Sequence, residues 1–169
     1  MVGMLMLLRK PSFVAFAMGL VLILSACGVA EDSTTRISNL QGKKMTVYHS
    51  PTCSCCKEYV QYLEKKGVDV KSIERGRYGM RSIKRRHGLS RDSASCHTGV
   101  IGDYVVEGHV PARTISKLLA ENPSDLKGIT IPGMPRHAPG MGGPIGEDLT
   151  IQSFDESGRL TGTFDTVRY

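Results

Sequence analysis

The sequence predicts an α/β domain, and three features support this fold class. Between residues 45 and 121, short strand-like segments alternate with segments that have the apolar spacing of amphipathic helices. A Cys-x-x-Cys pair, Cys53 and Cys56, stands where the first strand meets the first helix. After residue 122 a segment rich in proline and glycine leads into a pair of short strands.

The first half of the domain predicts two strand-helix units. The segment "MTVYH" (45–49) has strand character, and "KEYVQYLEKK" (57–66) predicts a helix that Gly67 ends. "VDVKSI" (68–73) predicts the second strand, and "MRSIKRRH" (80–87) the second helix. The inward positions of these helices are expected at Cys56, Val60 and Leu63 and at Met80, Ile83 and His87.

The second half predicts a hairpin and a third helix. "HTGVI" (97–101) and "YVVEG" (104–108) flank the turn at Gly102-Asp103. Pro111 then opens a helix, whose inward residues are expected to be Ile115, Leu118 and Leu119. The predicted order, β-α-β-α-β-β-α, is that of a thioredoxin-like core over residues 44–121.

A C-terminal extension follows this core. The segment "PGMPRHAPGMGGP" (132–144) contains four prolines and four glycines and excludes a helix or a central strand. The triplet "PGM" occurs in it twice. "LTIQSF" (149–154) and "RLTGTF" (159–164) predict a closing β-hairpin around residues 156–158.

The N-terminus has the pattern of a secretory signal. Arg9 and Lys10 precede an uncharged, mostly apolar run over residues 13–24. The following "LSAC" (24–27) resembles the lipobox of bacterial lipoproteins, in which cleavage exposes a cysteine that receives lipid, here Cys27. An uncleaved membrane anchor is the alternative.

Three regions are therefore predicted: a signal peptide over residues 1–26, a lipidated tether over 27–43, and a thioredoxin-like domain over 44–169. Both interpretations of the N-terminus place the domain outside the cytosol. Because Gly28 rather than aspartate follows Cys27, we expect a lipoprotein of the outer membrane that faces the periplasm.

The chain has a formal net charge of +6, and basic residues crowd into one short stretch. They are Arg75, Arg77, Arg81, Lys84, Arg85 and Arg86. Outside the cytosol, nucleic acid is not an expected partner, so this stretch predicts a solvated helix face.

Three cysteines lie at the predicted start of the first helix. Cys53 is expected at the helix cap, with Cys55 and Cys56 in the first turn, where unpaired N–H groups favour thiolate. Such thiols can act as nucleophiles or as metal ligands, and their spacing alone does not separate the two uses. Disulfide exchange needs only two thiols and gives Cys55 no role, whereas a metal cluster can use it as a third thiolate ligand.

A second group of candidate ligands precedes the third predicted strand. Thioredoxin-like redox enzymes carry a cis-proline there, facing the active-site thiols; this chain has Cys96 and His97. Thiolate and imidazole ligands suit Cu(I), Zn(II) or iron–sulfur chemistry. Met134 and Met141 favour Cu(I), although each could also be a packing residue. His49, His109 and His137 are further candidates, and for His49 and His109 a structural or surface role is the expectation.

Four separated motifs, "SPTCSCC", "SCHT", "VVEGHVPA" and "PGMP…PGM", resemble the CopG-like copper-resistance family over residues 44–168. The resemblance implies a thioredoxin-like fold in the bacterial envelope and a cysteine-bridged site for several copper ions. By motif it implies that four cysteines are bridging thiolates and that one histidine and two methionines are further ligands. The implied set is Cys53, Cys55, Cys56, Cys96, His97, Met134 and Met141.

These observations predict a copper-binding protein that holds Cu(I) for envelope copper resistance. It would sequester Cu(I), pass it to copper export or oxidase proteins, or interconvert Cu(I) and Cu(II). The alternative is a thiol–disulfide oxidoreductase that uses Cys53 and Cys56, which the missing proline disfavours. A structural zinc module is a third hypothesis, disfavoured by the methionines.

Overall fold

A computed structural model describes residue 37 and residues 39–144 and 146–168, all within the unit Glu31–Tyr169. The predicted signal peptide and the lipidation site at Cys27 lie outside the described residues. Among the residues that are described, no helix is both long and apolar enough to cross a bilayer.

The strands and helices of the described chain follow the predicted order, with one additional short strand after the third helix. Their bounds are β1 (Lys44–His49), α1 (Ser54–Lys65), β2 (Asp69–Glu74), α2 (Arg77–Arg86), β3 (Thr98–Ile101), β4 (Tyr104–Glu107), α3 (Ala112–Glu121), β5 (Gly128–Thr130), β6 (Asp148–Phe154) and β7 (Leu160–Arg168). The predicted α/β fold is therefore confirmed.

All of these strands form one seven-stranded sheet in the order β2-β1-β3-β4-β5-β6-β7. The pairs β1–β2 and β4–β5 are parallel, and the remaining neighbours are antiparallel. The predicted closing hairpin exists as β6 and β7, and it extends the core sheet. The short strand β5, which joins the hairpin to β4, was not predicted.

The helices bury the residues expected from their apolar spacing. In α1, Cys56, Val60 and Leu63 are buried, together with Tyr59. In α2, Met80 and Ile83 are buried and His87 is half-buried. In α3, Ile115 and Leu118 are completely buried, and Leu119 packs at the edge of the same cluster. Each helix therefore packs its apolar face into the protein interior.

The strand β4 lies at the centre of the sheet, and all four of its residues are buried. Elements cover both of its faces, so it lacks the alternation of a half-exposed strand. A glutamate, Glu107, is the last of these residues. It stands directly before the loop that carries His109.

Candidate metal centre

The N-terminus of α1 presents three cysteines as the sequence predicts. Cys53 is the N-cap residue and makes no side-chain capping hydrogen bond, and Cys55 and Cys56 lie in the first turn. A disulfide joins Cys53 to Cys56, whereas Cys55 is a free thiol. The Sγ atom of Cys55 lies 3.5 Å from that of Cys53. Oxidised and reduced sulfur are therefore in contact at one helix end.

The opposite wall of the site is the segment before β3. Cys96 and His97 directly precede Thr98, the first residue of that strand. The described residues contain no cis peptide bond. The position that cis-proline occupies in thioredoxin-like redox enzymes is thus taken by a thiol and an imidazole.

Two groups of candidate ligands form between these walls. The ligand atoms of Cys56, Cys96, His97 and His109 lie within 4.8 Å of one another, and so do the sulfur atoms of Cys53, Cys55 and Cys56. Cys56 belongs to both groups and is completely buried. Two soft metal ions, one bound in each group, would therefore share the sulfur of Cys56.

His109 belongs to this arrangement, although a structural or surface role was expected for it. Its Nδ1 atom donates a hydrogen bond to the carbonyl oxygen of Pro139, at 2.7 Å. Because a carbonyl oxygen only accepts, the neutral ring carries its lone pair on Nε2. This buried Nε2 atom has no hydrogen-bond partner, which is the state of an imidazole prepared to bind a metal. The signal in the sequence was its place in "VVEGHVPA".

His97 is the second buried imidazole of the site. Burial, followed by the neighbouring His109, holds its pKa well below the ordinary range, so the ring is neutral at neutral pH. Its Nδ1 atom lies 3.2 Å from the Cys96 sulfur. Its Nε2 atom is buried and makes no hydrogen bond. The His97 ring packs against that of His109, with 4.7 Å between the ring centroids.

Tyr59 orients both imidazoles. Its ring centroid lies 4.6 Å from that of His97 and 5.2 Å from that of His109. Its hydroxyl donates a hydrogen bond of 2.7 Å to the carbonyl oxygen of Val110. The ring is therefore fixed at its far end, and the two histidines pack against a rigid surface.

The Cys96 thiol is protonated at neutral pH. Burial raises its pKa to about 11, and the nearby Cys55 and Glu107 act in the same direction. A metal that binds Cys96 as a thiolate must therefore displace its proton.

The second "PGM" triplet (139–141) packs against the start of α1, whereas the first (132–134) is more exposed. A Cβ atom on Gly140 would lie 2.7 Å from the backbone nitrogen of Tyr59, so only glycine permits this close approach. Met141 packs at the edge of the core cluster. Met134 has a φ of 50° and is 46% exposed. The ligand roles of both methionines stay predictions.

His49 and His137 are engaged elsewhere. The two nitrogens of His49 lie within hydrogen-bond distance of the carbonyl oxygen of Ser50 and the hydroxyl of Ser72. His137 contacts the carboxylate of Glu147 at 3.2 Å. Neither histidine belongs to the ligand groups found among the described residues.

The donor set decides which metals fit. Four cysteine sulfurs and two imidazole nitrogens suit soft or borderline ions and not Mg²⁺ or Ca²⁺. The buried Nε2 atom of His109, which carries a lone pair and has no hydrogen-bond partner, is the feature that packing alone does not explain.

A family model matches the part of the chain that forms the second wall of the site. A family described as "Protein of unknown function, DUF411" matches residues 93–141, the part that contains Cys96, His97 and His109. No match was found among curated proteins.

Two solved structures are similar over most of the chain. One, copper resistance protein CopG in form 1, shares 33% identity, covers 76% of this chain and 100% of its own, and has a TM-score of 0.67. The same protein in form 2 shares 34% identity, covers 75% and 99%, and has a TM-score of 0.65. This degree of identity over the whole length of both structures shows the family: the chain belongs to the CopG-like copper-resistance proteins.

Proposed function

We propose that this protein binds Cu(I) in a cysteine-bridged centre that holds several ions, and that it serves copper resistance in the bacterial envelope. The observation that carries the proposal is the convergence of Cys56, Cys96, His97 and His109 around unpaired ligand atoms. Both similar structures are of a copper resistance protein, CopG, which supports copper as the metal.

The donor chemistry favours several Cu(I) ions over a single zinc ion. Cu(I) is soft, and thiolate and thioether ligands select it. In the proposed centre the thiolates of Cys53, Cys55, Cys56 and Cys96 bridge the ions. His97 and His109 add nitrogen ligands, and Met134 and Met141 are proposed as thioether ligands. Sequestration, transfer to copper export or oxidase proteins, and Cu(I)/Cu(II) interconversion are all uses of such a centre.

The disulfide state controls whether the centre can form. While Cys53 and Cys56 are joined, the sulfur common to both ligand groups is not a thiolate. Two electrons and two protons from a thiol reductant convert the disulfide into two thiols. We therefore expect the reduced protein to be the form that binds several Cu(I) ions.

A Cu(I) titration tests the proposal. Residues 28–169, fully reduced and kept free of oxygen, are titrated with Cu(I) in competition with a chromophoric Cu(I) chelator. We expect more than one Cu(I) per chain, and fewer in protein that carries the Cys53–Cys56 disulfide. Binding of a single ion or none by the reduced protein would overturn the multinuclear centre.

A thiol–disulfide oxidoreductase is the second candidate, and the Cys53–Cys56 disulfide at a helix N-terminus favours it. His97 argues against it, because it stands where a redox enzyme needs cis-proline. An insulin reduction assay with dithiothreitol separates the two functions. Rapid turnover by the unmodified protein, together with weak Cu(I) binding, would favour the oxidoreductase.

The pH dependence of copper binding should reveal the proton on Cys96. Because the thiol pKa is about 11, Cys96 is protonated at neutral pH and must lose its one proton to solvent when its sulfur binds metal as a thiolate. Cu(I) affinity should therefore fall as the pH is lowered from 9 to 6. In Cys96→Ser the slope of log affinity against pH should be smaller by about one proton. An unchanged slope would show that Cys96 is not a thiolate ligand.

We also propose that the protein is a periplasmic lipoprotein anchored through Cys27. Cys27→Ser should block processing or release the protein from the membrane fraction, as seen by mass and by cell fractionation. Cys55→Ser is the matched control and should fractionate like the natural protein. Unchanged mass and membrane association in Cys27→Ser would exclude lipidation there.

A further inference from the structure

A buried carboxylate lies behind the wall of the site that Cys96 and His97 form. Glu107 is completely buried at the end of β4. Its Oε1 atom accepts a hydrogen bond of 2.6 Å from the backbone nitrogen of Ser95. Its Oε2 atom accepts one of 2.7 Å from the hydroxyl of Thr98. The ammonium group of Lys84 forms an ion pair with the same carboxylate.

The two hydrogen bonds enclose the ligand dipeptide. Ser95 directly precedes Cys96, and Thr98 directly follows His97. The carbonyl oxygen of His97 accepts a further hydrogen bond of 3.0 Å from the nitrogen of Gly108. Residues 94–97 belong to no helix or strand, so regular secondary structure does not hold them. Adjacent residues at the end of β4 supply these bonds instead.

The chemistry of this position calls for a carboxylate. Three donors converge on it: a backbone N–H, a hydroxyl and an ammonium group. A carboxylate only accepts hydrogen bonds, so it can satisfy all three, whereas a glutamine would turn an N–H group towards another donor. Burying a charge is costly unless it is paired, and Lys84 provides the pairing.

We propose that Glu107, with Lys84 as its counter-ion, is a positioning residue that holds Cys96 and His97 in the orientation in which they bind the metal. This inference rests on the proposed copper function. Outer-shell partners of this kind typically change metal affinity by about 10- to 100-fold when they are replaced.

Glu107→Gln in the full chain, purified in detergent, tests the proposal. Asp165→Asn is the matched control, because Asp165 is also a carboxylate that accepts from a threonine and a lysine, Thr114 and Lys117 of α3. Cu(I) competition titration should show about 10- to 100-fold weaker binding in Glu107→Gln and unchanged binding in the control. X-ray absorption should show a loss of copper–imidazole scattering in Glu107→Gln alone.

A merely structural role would give a different result. In that case the two variants would lower thermal stability alike, and Glu107→Gln would bind Cu(I) with the affinity and X-ray absorption of the natural protein. That outcome would overturn the proposal. If Glu107→Gln does not fold, Thr98→Val removes one bond of the same set and should weaken Cu(I) binding by about fivefold, the equivalent of one hydrogen bond. Unchanged binding in Thr98→Val would likewise contradict the proposal.

A copper-free measurement keeps this proposal separate from the proposed function. In the reduced, metal-free protein, Glu107→Gln should increase the hydrogen exchange rate of the Ser95 amide by at least about tenfold and broaden the amide signals of Cys96 and His97. Failure of the natural protein to bind Cu(I) would remove the copper function. An unchanged hydrogen exchange rate of the Ser95 amide in Glu107→Gln would contradict the positioning role, whatever the result of the copper titration.

Discussion

Cys56→Ser is expected to cause the largest loss of copper binding of any single substitution in this protein. Cys56 is the one residue common to both ligand groups of the described chain, and its side chain is completely buried. A serine hydroxyl is a poor ligand for Cu(I) and does not bridge two soft ions as a thiolate does. The remaining sulfurs would then lie in two groups that no atom joins.

The measurement is the Cu(I) count and affinity of the reduced protein, determined by chelator competition. The affinity should fall by more than the roughly 100-fold that marks the upper end for loss of an outer-shell partner. Cys55→Ser removes a ligand from one group only, so it should lower the copper count and leave some tight binding. Ser54→Ala, at an exposed position in the same helical turn, is the control and should bind copper normally.

Two results would contradict this account. Full copper binding by Cys55→Ser would show that the third thiol is not part of a cluster and would favour a simple redox pair. A smaller loss in Cys56→Ser than in Cys55→Ser would show that Cys56 does not connect the two groups.

His109→Asn is expected to weaken Cu(I) binding strongly while preserving the local structure. The asparagine amide can still donate a hydrogen bond to the Pro139 carbonyl oxygen, as Nδ1 of the histidine does. It has no counterpart of the Nε2 atom, which is the unpaired atom that faces the site. The variant therefore removes a ligand and retains its support.

His49→Asn is the matched control. His49 is as buried as His109, but both of its nitrogens have partners in Ser50 and Ser72. We expect it to lower thermal stability, because buried donors and acceptors lose their bonds, and to leave Cu(I) affinity unchanged. We expect His109→Asn to bind Cu(I) at least about tenfold more weakly, with reduced copper–imidazole scattering in X-ray absorption. Equal affinities for the two variants would exclude His109 as a ligand.

The proposed copper centre requires the Cys56 sulfur as a free thiolate, whereas the disulfide holds the same sulfur in its oxidised form. A thiolate of Cys56 is available to copper only when Cys53 is also reduced. In the oxidised protein the free thiol of Cys55 lies 3.5 Å from the sulfur of Cys53. We therefore expect the copper capacity of the protein to depend on the thiol redox conditions around it.

The sequence by itself predicted the fold class and, as candidate ligands, five of the six residues of the two ligand groups, all except His109. Helix and strand spacing is a local property, so α1, the β3–β4 hairpin and the closing hairpin could each be predicted from short segments. The cysteines at the start of α1 followed from the position of that helix. The short strand β5 escaped prediction, because only pairing with β4 and β6 makes its three residues a strand.

The tertiary structure decided which histidine faces the metal site. His49 and His109 look alike in the sequence, since each lies at or just beyond the end of a buried strand. What separates them is whether a distant residue occupies their second nitrogen: Ser72 does so for His49, and nothing among the described residues does so for Nε2 of His109. The role of Glu107 was hidden for the same reason. Its partners are 9, 12 and 23 residues away along the chain, and periodicity does not report contacts of that kind, because they form only when the strands pair and the helices pack.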